Sequence, residues 1–180
     1  METLVIMDTD LGLLLLRLGV GLTFAAHGAQ KAFGWWKGPG WSGWQAVVER
    51  MGFRPVPLFA ALSVGAELVG GLSLALGLLT PFAATILIGQ AAVIIVKAHL
   101  PRGFWNRDNG FEFPLALGAG TVAIGLTGPG AFSVDGLAGL SFGDDVRLGL
   151  VFVGLLGGAI ALAASAAVTK PTEGGTAPSR

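Results

Sequence analysis

Seven polar or ionisable side chains stand inside or at the edges of otherwise apolar stretches: Arg17, His27, Glu67, Gln90, Lys97, His99 and Glu112. Charged groups within a bilayer are costly, turn toward the protein interior and mark function by default. Depth follows from helix rise. Arg17 lies about 9 Å below the outer end of the first apolar stretch, and Glu67 about 14 Å above the inner end of the second, at 1.5 Å per residue. Both fall near the middle of the membrane, where neither stays charged alone at tolerable cost. Arg17 and Glu67 are therefore expected to pair. Such a pair either fixes the register of two helices, its attraction offset by a desolvation cost of several kcal/mol per ion, or lines a cavity. In the second case Gln90 joins Glu67 at similar depth, and the cavity binds a small polar headgroup or carries a proton.

A second group gathers near the inner ends of the stretches. His27 and Lys31 are four residues apart and share a helix face, while Lys97, His99 and Glu112 come from the inner ends of the third and fourth stretches. A bis-histidine haem needs His27 and His99 on opposite sides of one ring, but nothing else in the sequence suits a haem pocket. Two histidines and Glu112 are chemically able to hold a divalent metal, yet no further residue supports it, and no metal site is assigned. The plain reading is polar groups facing the interface or lipid headgroups; the alternative is a redox-linked proton site.

The composition names the solvent of the elements that carry these residues. Of 180 residues, 53% are hydrophobic and 12% charged, against about 25% charged in a soluble domain. So few charges cannot cover a surface in water. Eleven Lys+Arg balance eleven Asp+Glu, which excludes the basic footprint of a nucleic-acid binder. The absence of cysteine rules out disulfides, thiolate metal sites, iron–sulfur clusters and thiol relays. Thirty glycines are roughly twice the usual share of about 7% and suit closely packed membrane helices.

A bilayer core of about 30 Å requires spans of about 20 residues. The sequence offers five: 11–33, 58–79, 81–98, 111–127 and 148–168. The first follows Asp8-Thr9-Asp10 and ends at Gly34. No Lys or Arg precedes it and Arg17 interrupts it, unlike a cleavable signal peptide, so the N-terminus is expected to be retained, with Met7 an alternative start. The second and third are split at Gly77, Thr80 and Pro81, because proline suits a first helical turn. The fourth is short, at about 25 Å if helical throughout. Residues 1–10 form an N-terminal segment, and the tail from 169, rich in Pro, Gly, Thr and Ser, is expected to be disordered.

Cytoplasmic loops hold an excess of Lys and Arg. With five spans and an outside N-terminus, the inside segments hold nine basic residues, Lys31, Lys37, Arg50, Arg54, Lys97, Arg102, Arg107, Lys170 and Arg180, and the outside segments only Arg147. If the fourth segment fails to span, the tally becomes eight against two. The first loop carries Trp35, Trp36, Trp41 and Trp44 beside Lys31 and Lys37, which reads as an interfacial belt rather than an aromatic substrate cage. Residues 44–51 suit a short interfacial helix with Glu49 and Arg50 facing water. Gly154 and Gly158, like Ala66 and Gly70, have the four-residue spacing of close helix contact, which serves either internal packing or a homo-oligomer.

Six motifs occur in order: Leu16-Arg17-Leu18-Gly19; His27-Gly28 with Gln30-Lys31; Glu67-Leu68-Val69-Gly70-Gly71; Leu76-Gly77-Leu78-Leu79-Thr80; Asn109-Gly110-Phe111-Glu112-Phe113-Pro114; and Gly128-Pro129-Gly130-Ala131-Phe132-Ser133-Val134-Asp135. Over residues 11–137 the chain resembles the DoxX family of small bacterial membrane proteins. The resemblance implies an all-α, four-helix transmembrane bundle, here extended by a fifth C-terminal transmembrane helix. It also implies links with redox or thiol-stress systems, since the family name comes from relatives of a thiosulfate:quinone oxidoreductase subunit. Arg17, Lys31, Glu67, Glu112 and Asp135 are the matching polar positions. Without cysteine, any sulfur chemistry acts on a bound substrate or belongs to a partner.

The expected function is that of a multi-pass inner-membrane protein that binds a quinone-like or other amphipathic small molecule between its helices and serves a redox system. Arg17 and Glu67 organise the pocket, with Glu112 and His99 near its mouth. Quinone is the expected cofactor, none being covalently bound, and the expected partners are the lipid bilayer and a soluble redox protein on the cytoplasmic face. The alternative is a non-catalytic scaffold that docks soluble redox or detoxifying enzymes on the basic loops 37–54 and 97–107. A transporter fits less well, because five spans show no obvious inverted repeat.

Overall fold

A computed structural model describes residues 2–168. The expected disordered tail lies outside the described residues, as do Lys170 and Arg180 of the charge tally. The described residues form helices and no strand: α1 (Glu2–Phe33), α2 (Gly40–Arg50), α3 (Val56–Leu76), α4 (Thr80–Arg102), α5 (Glu112–Thr127), α6 (Val134–Leu137) and α7 (Asp144–Val168). Four of them are long and apolar enough to cross a membrane: Thr9–Phe33 within α1, then α3, α4 and α7.

The shorter α5 connects the same two ends as its long neighbours. At its start, Glu112 Oε2 accepts a hydrogen bond from Asn106 N, beside the C-terminal end of α4. At its other end Arg147, in the first turn of α7, donates to Thr127 O, and Ala131 N donates to Asp10 in the N-terminal part of α1. Five helices therefore run the length of the bundle, as the sequence predicts.

The α3–α4 hairpin is tight because Gly77 takes a left-handed conformation, φ 67°, and ends α3. Glycine has no Cβ to resist that geometry. Pro81 sits in the first turn of α4, where a missing N–H costs nothing.

Small residues let the helices meet at backbone distance. A Cβ on Gly21 would fall 2.5 Å from Ala75 N, and one on Gly28 2.5 Å from Leu68 N, so α1 and α3 pack antiparallel in close contact. Gly154 and Gly158 do the same on α7, against the backbone of Thr85 and Gly89 on α4. The glycine stripe offered for a homo-oligomer is thus occupied within the chain. Between these layers Val20, Phe24, Leu74, Leu87, Ala91 and Ile124 form a buried core. Outside, Leu15, Leu62, Phe152 and Leu156 are more than half exposed, a surface suited to lipid.

The tryptophan belt is divided. Trp35, Trp36 and Trp41 are exposed, whereas Trp44 on α2 is buried. Glu49 and Arg50 face outward, as expected of an interfacial helix.

Candidate functional site

The helix register decides which buried acid meets which buried base. With Gly21 opposite Ala75 and Gly28 opposite Leu68, Lys31 comes level with Glu67, and Arg17 comes level with the α3–α4 hairpin. Lys31 Nζ stands 2.5 Å from Glu67 Oε1. Lys31 is 9% and Glu67 1% exposed, so this pair is almost wholly out of solvent. Gln90 Nε2 on α4 donates to the same oxygen at 3.0 Å and to Ser63 Oγ at 2.7 Å. Trp44 covers the cation, its ring centre 4.0 Å from Lys31 Nζ, a cation–π contact strengthened by desolvation. Glu67 Oε2 and Trp44 Nε1 are buried with no hydrogen-bond partner among the described residues.

The expected pairing of Arg17 with Glu67 is therefore wrong. Estimating depth from the ends of the apolar stretches ignores the close glycine contacts that slide α1 against α3. Arg17, fully buried, donates to Ala75 O at 3.1 Å and to Phe132 O at 2.5 Å. Asp135, equally buried, accepts from Leu79 N, Thr80 N and Thr80 Oγ1 at 2.7 to 2.8 Å. It thereby caps the start of α4, where unpaired N–H groups favour an anion. Gly77 lies between the two groups, and a Cβ there would collide with the Arg17 guanidinium. Arg17 and Asp135 tie the loop after α5 to the bundle and take no part in the Lys31–Glu67 site.

Two concavities flank that site. A cavity of about 770 Å³ opens at the Lys31 end, with His27, Lys31, Arg50, Lys97, His99 and Arg102 in its wall together with Glu67. A groove of about 400 Å³ lies between α3, α4 and α7, lined by Phe59, Leu62, Val93, Gly157 and Ala161, with Ser63, Thr85 and Gln90 among its polar groups. Trp44, Met51 and Ile94 belong to both walls. The hydrogen-bonded series Ser63–Gln90–Glu67–Lys31 thus runs from the apolar groove to the basic cavity.

Two π-helical turns occur on the site's own helices, Ala66–Gly70 around Glu67 and Ile95–His99 around Lys97. A π turn inserts a residue into the helical repeat and is frequent at functional sites.

Of the inner-face group, His27, Lys31, Lys97 and His99 all line the basic cavity, as their depth suggests. His27 packs against Phe113 with ring centres 6.1 Å apart. His99 Nδ1 lies 2.8 Å from Asn109 O, which makes it the protonated ring nitrogen. Glu112 is held by Asn106 N and does not line the cavity. The trio His27, His99 and Glu112 is not assembled, and no cluster of three such ligands has metal-site spacing among the described residues. Sequence reasoning missed Ser63, Arg50 and Arg102 as wall residues and left Trp44 in the belt. Ser63 was findable, because it precedes Glu67 by one helical turn.

Residues 12–100, from α1 to near the end of α4, match the DoxX family model. Two curated relatives extend the likeness past that stretch. The uncharacterized membrane protein Rv3486 of Mycobacterium tuberculosis is 33% identical over 131 residues, covering 67% of this chain and 77% of the relative. The chain belongs to the DoxX family. The inner membrane protein YqjF of Escherichia coli is 31% identical over 132 residues, 71% of this chain and 92% of that protein. No solved structure matches. Membership and the apolar helices together make this DoxX protein a multi-pass membrane protein. The family match contains Arg17, Lys31, Glu67, Gln90, Lys97 and His99, while Glu112, Asp135 and α7 lie beyond it.

Proposed function

We propose that this DoxX protein is an inner-membrane component of a redox-linked system and binds a quinone-like or other amphipathic small molecule between α3, α4 and α7. The observation that carries this reading is the series Ser63–Gln90–Glu67–Lys31, which joins a lipid-side groove to a basic cavity at the bundle end. A pocket with a mostly apolar wall and a few placed polar groups is the usual form of a small-molecule site. Phe59, Leu62 and Val93 suit an apolar tail, and the amide of Gln90 and hydroxyl of Ser63 suit a ring oxygen.

Quinone reduction consumes two electrons and two protons. Glu67 is the group this reading assigns to proton exchange: its Oε1 accepts from both Gln90 and Lys31, and its Oε2 is left without a partner among the described residues. The chain contains no cysteine, so electrons are supplied by a bound substrate or a partner protein. Seven described basic residues, from Lys31 to Arg107, lie at the cavity end or in its loops, and Arg147 lies at the other. That asymmetry supports a cytoplasmic cavity mouth and an outside N-terminus.

Quinol extracted from purified protein is the test. Wild type should retain it, and Gln90→Leu and the still-folded fraction of the less stable Glu67→Ala should lose it. Equal retention by the folded variants, or none by wild type loaded with quinol, overturns the reading.

A further inference from the structure

The cavity at the Lys31 end carries more positive charge than its described ion pairs neutralise. Glu67 is the one carboxylate in its wall among the described residues, and Lys31 takes it. The other permanent cations there, Arg50 from α2 and Lys97 and Arg102 from α4, form no ion pair among the described residues. Of the other carboxylates at this end, Glu49 pairs with Arg54 and Asp108 with Arg107, while Glu112 accepts from Asn106 N and lies outside the cavity wall. Lys97 instead lies 5.8 Å from the centre of the Phe53 ring.

Three uncompensated cations around a concave, partly apolar wall focus a positive potential. Guanidinium forks match the oxygens of a phosphate better than those of a monatomic ion. The floor is apolar, with Phe24, Phe113 and Leu117, and accommodates an organic group attached to the anion. Basic pockets between transmembrane helices on the cytoplasmic side have the character of headgroup sites.

We propose that this cavity binds a phosphate monoester or diester through Arg50, Lys97 and Arg102. The same chemistry is offered by the headgroup of an anionic phospholipid and by a free phosphate ester. The inference rests on the charge of the cavity and stands apart from the quinone-like reading, whose ligand lies across the Lys31–Glu67 pair in the groove.

Native mass spectrometry of the full-length protein, released from detergent after incubation with phosphatidylglycerol, phosphatidylcholine or glycerol 3-phosphate, tests it. Wild type should retain phosphatidylglycerol well above phosphatidylcholine. The variant Arg50→Gln/Lys97→Gln/Arg102→Gln should lose that retention by a factor on the order of 100, while Arg54→Gln, outside the cavity, should not. Retention of glycerol 3-phosphate in place of the lipid assigns the site to a soluble ester. Equal retention of the two lipids with no glycerol 3-phosphate bound overturns the proposal, as does a folded triple variant that binds like wild type. If the triple variant does not fold, Arg102→Gln on the exposed rim gives the same reading, with a loss of about fivefold.

Discussion

Gly28 and Leu68 meet backbone to backbone, at a separation that leaves no room for a side chain on Gly28. This contact fixes the register of α1 against α3 and so brings Lys31, one turn further on, to Glu67. Gly28→Val should push the helices apart, with an overpacking cost of about 1–3 kcal/mol. A lower melting temperature in detergent and reduced quinol retention are expected together. A Cβ added at Gly19 would meet no atom within 4 Å, so Gly19→Ala should be neutral or slightly stabilising. Equal losses from both substitutions would show that the register contact carries no special weight.

The Lys31–Glu67 pair is buried at both ends. Removing one partner strands the other's charge and should cost about 3–5 kcal/mol, whereas replacing both should cost much less. Lys31→Met and Glu67→Gln are therefore expected to lower the melting temperature separately, and the double variant to recover much of it. Ligand retention should follow a different pattern, absent from the double variant despite its recovered stability. A double-mutant cycle measures the coupling; additive losses would remove the pair from the account.

Much of this arrangement is legible in the sequence, and the exceptions have one cause. Hydropathy and the breaks at Gly34, Gly77 and Gly128 locate five helices, and the adjoining C-terminal ends of α1 and α4 predict the shared wall of His27, Lys31, Lys97 and His99. What composition does not encode is the slide of one helix along another. That slide depends on Gly21, Gly28 and Gly71 approaching particular backbone atoms, and it exchanges Arg17 for Lys31 as the partner of Glu67. Trp44 escapes for a related reason. Its three neighbours face outward, and only the docking of α2 over Lys31 turns its ring inward.

Arg17 and Asp135 should behave as structural groups. Arg17→Met leaves Ala75 O and Phe132 O without their donor, and an unsatisfied buried polar group costs about 1–3 kcal/mol. Asp135→Ala deprives Leu79 N and Thr80 N of their acceptor at the start of α4 and should cost a similar amount. Both variants should melt earlier while the folded fraction retains quinol at the wild-type ratio. Loss of quinol from fully folded Arg17→Met would place Arg17 back in the ligand site.

The crossing of α5 determines the topology of everything after it. Its sixteen residues span about 24 Å at 1.5 Å per residue, several ångströms short of a typical hydrocarbon core of about 30 Å. Local thinning accommodates such a mismatch at modest cost. The hydrogen bonds at its ends, to Asn106 near α4 and to Arg147 at the start of α7, tie it to opposite ends of the bundle. A periplasm-dependent reporter fused after Gly139, in the loop between α6 and α7, should therefore be active, and one fused after Arg180 inactive. A C-terminal fusion active outside the cell would mean either that α5 turns back before crossing, with the N-terminus still outside, or that all five helices run the opposite way, and a reporter at the N-terminus would tell the two apart.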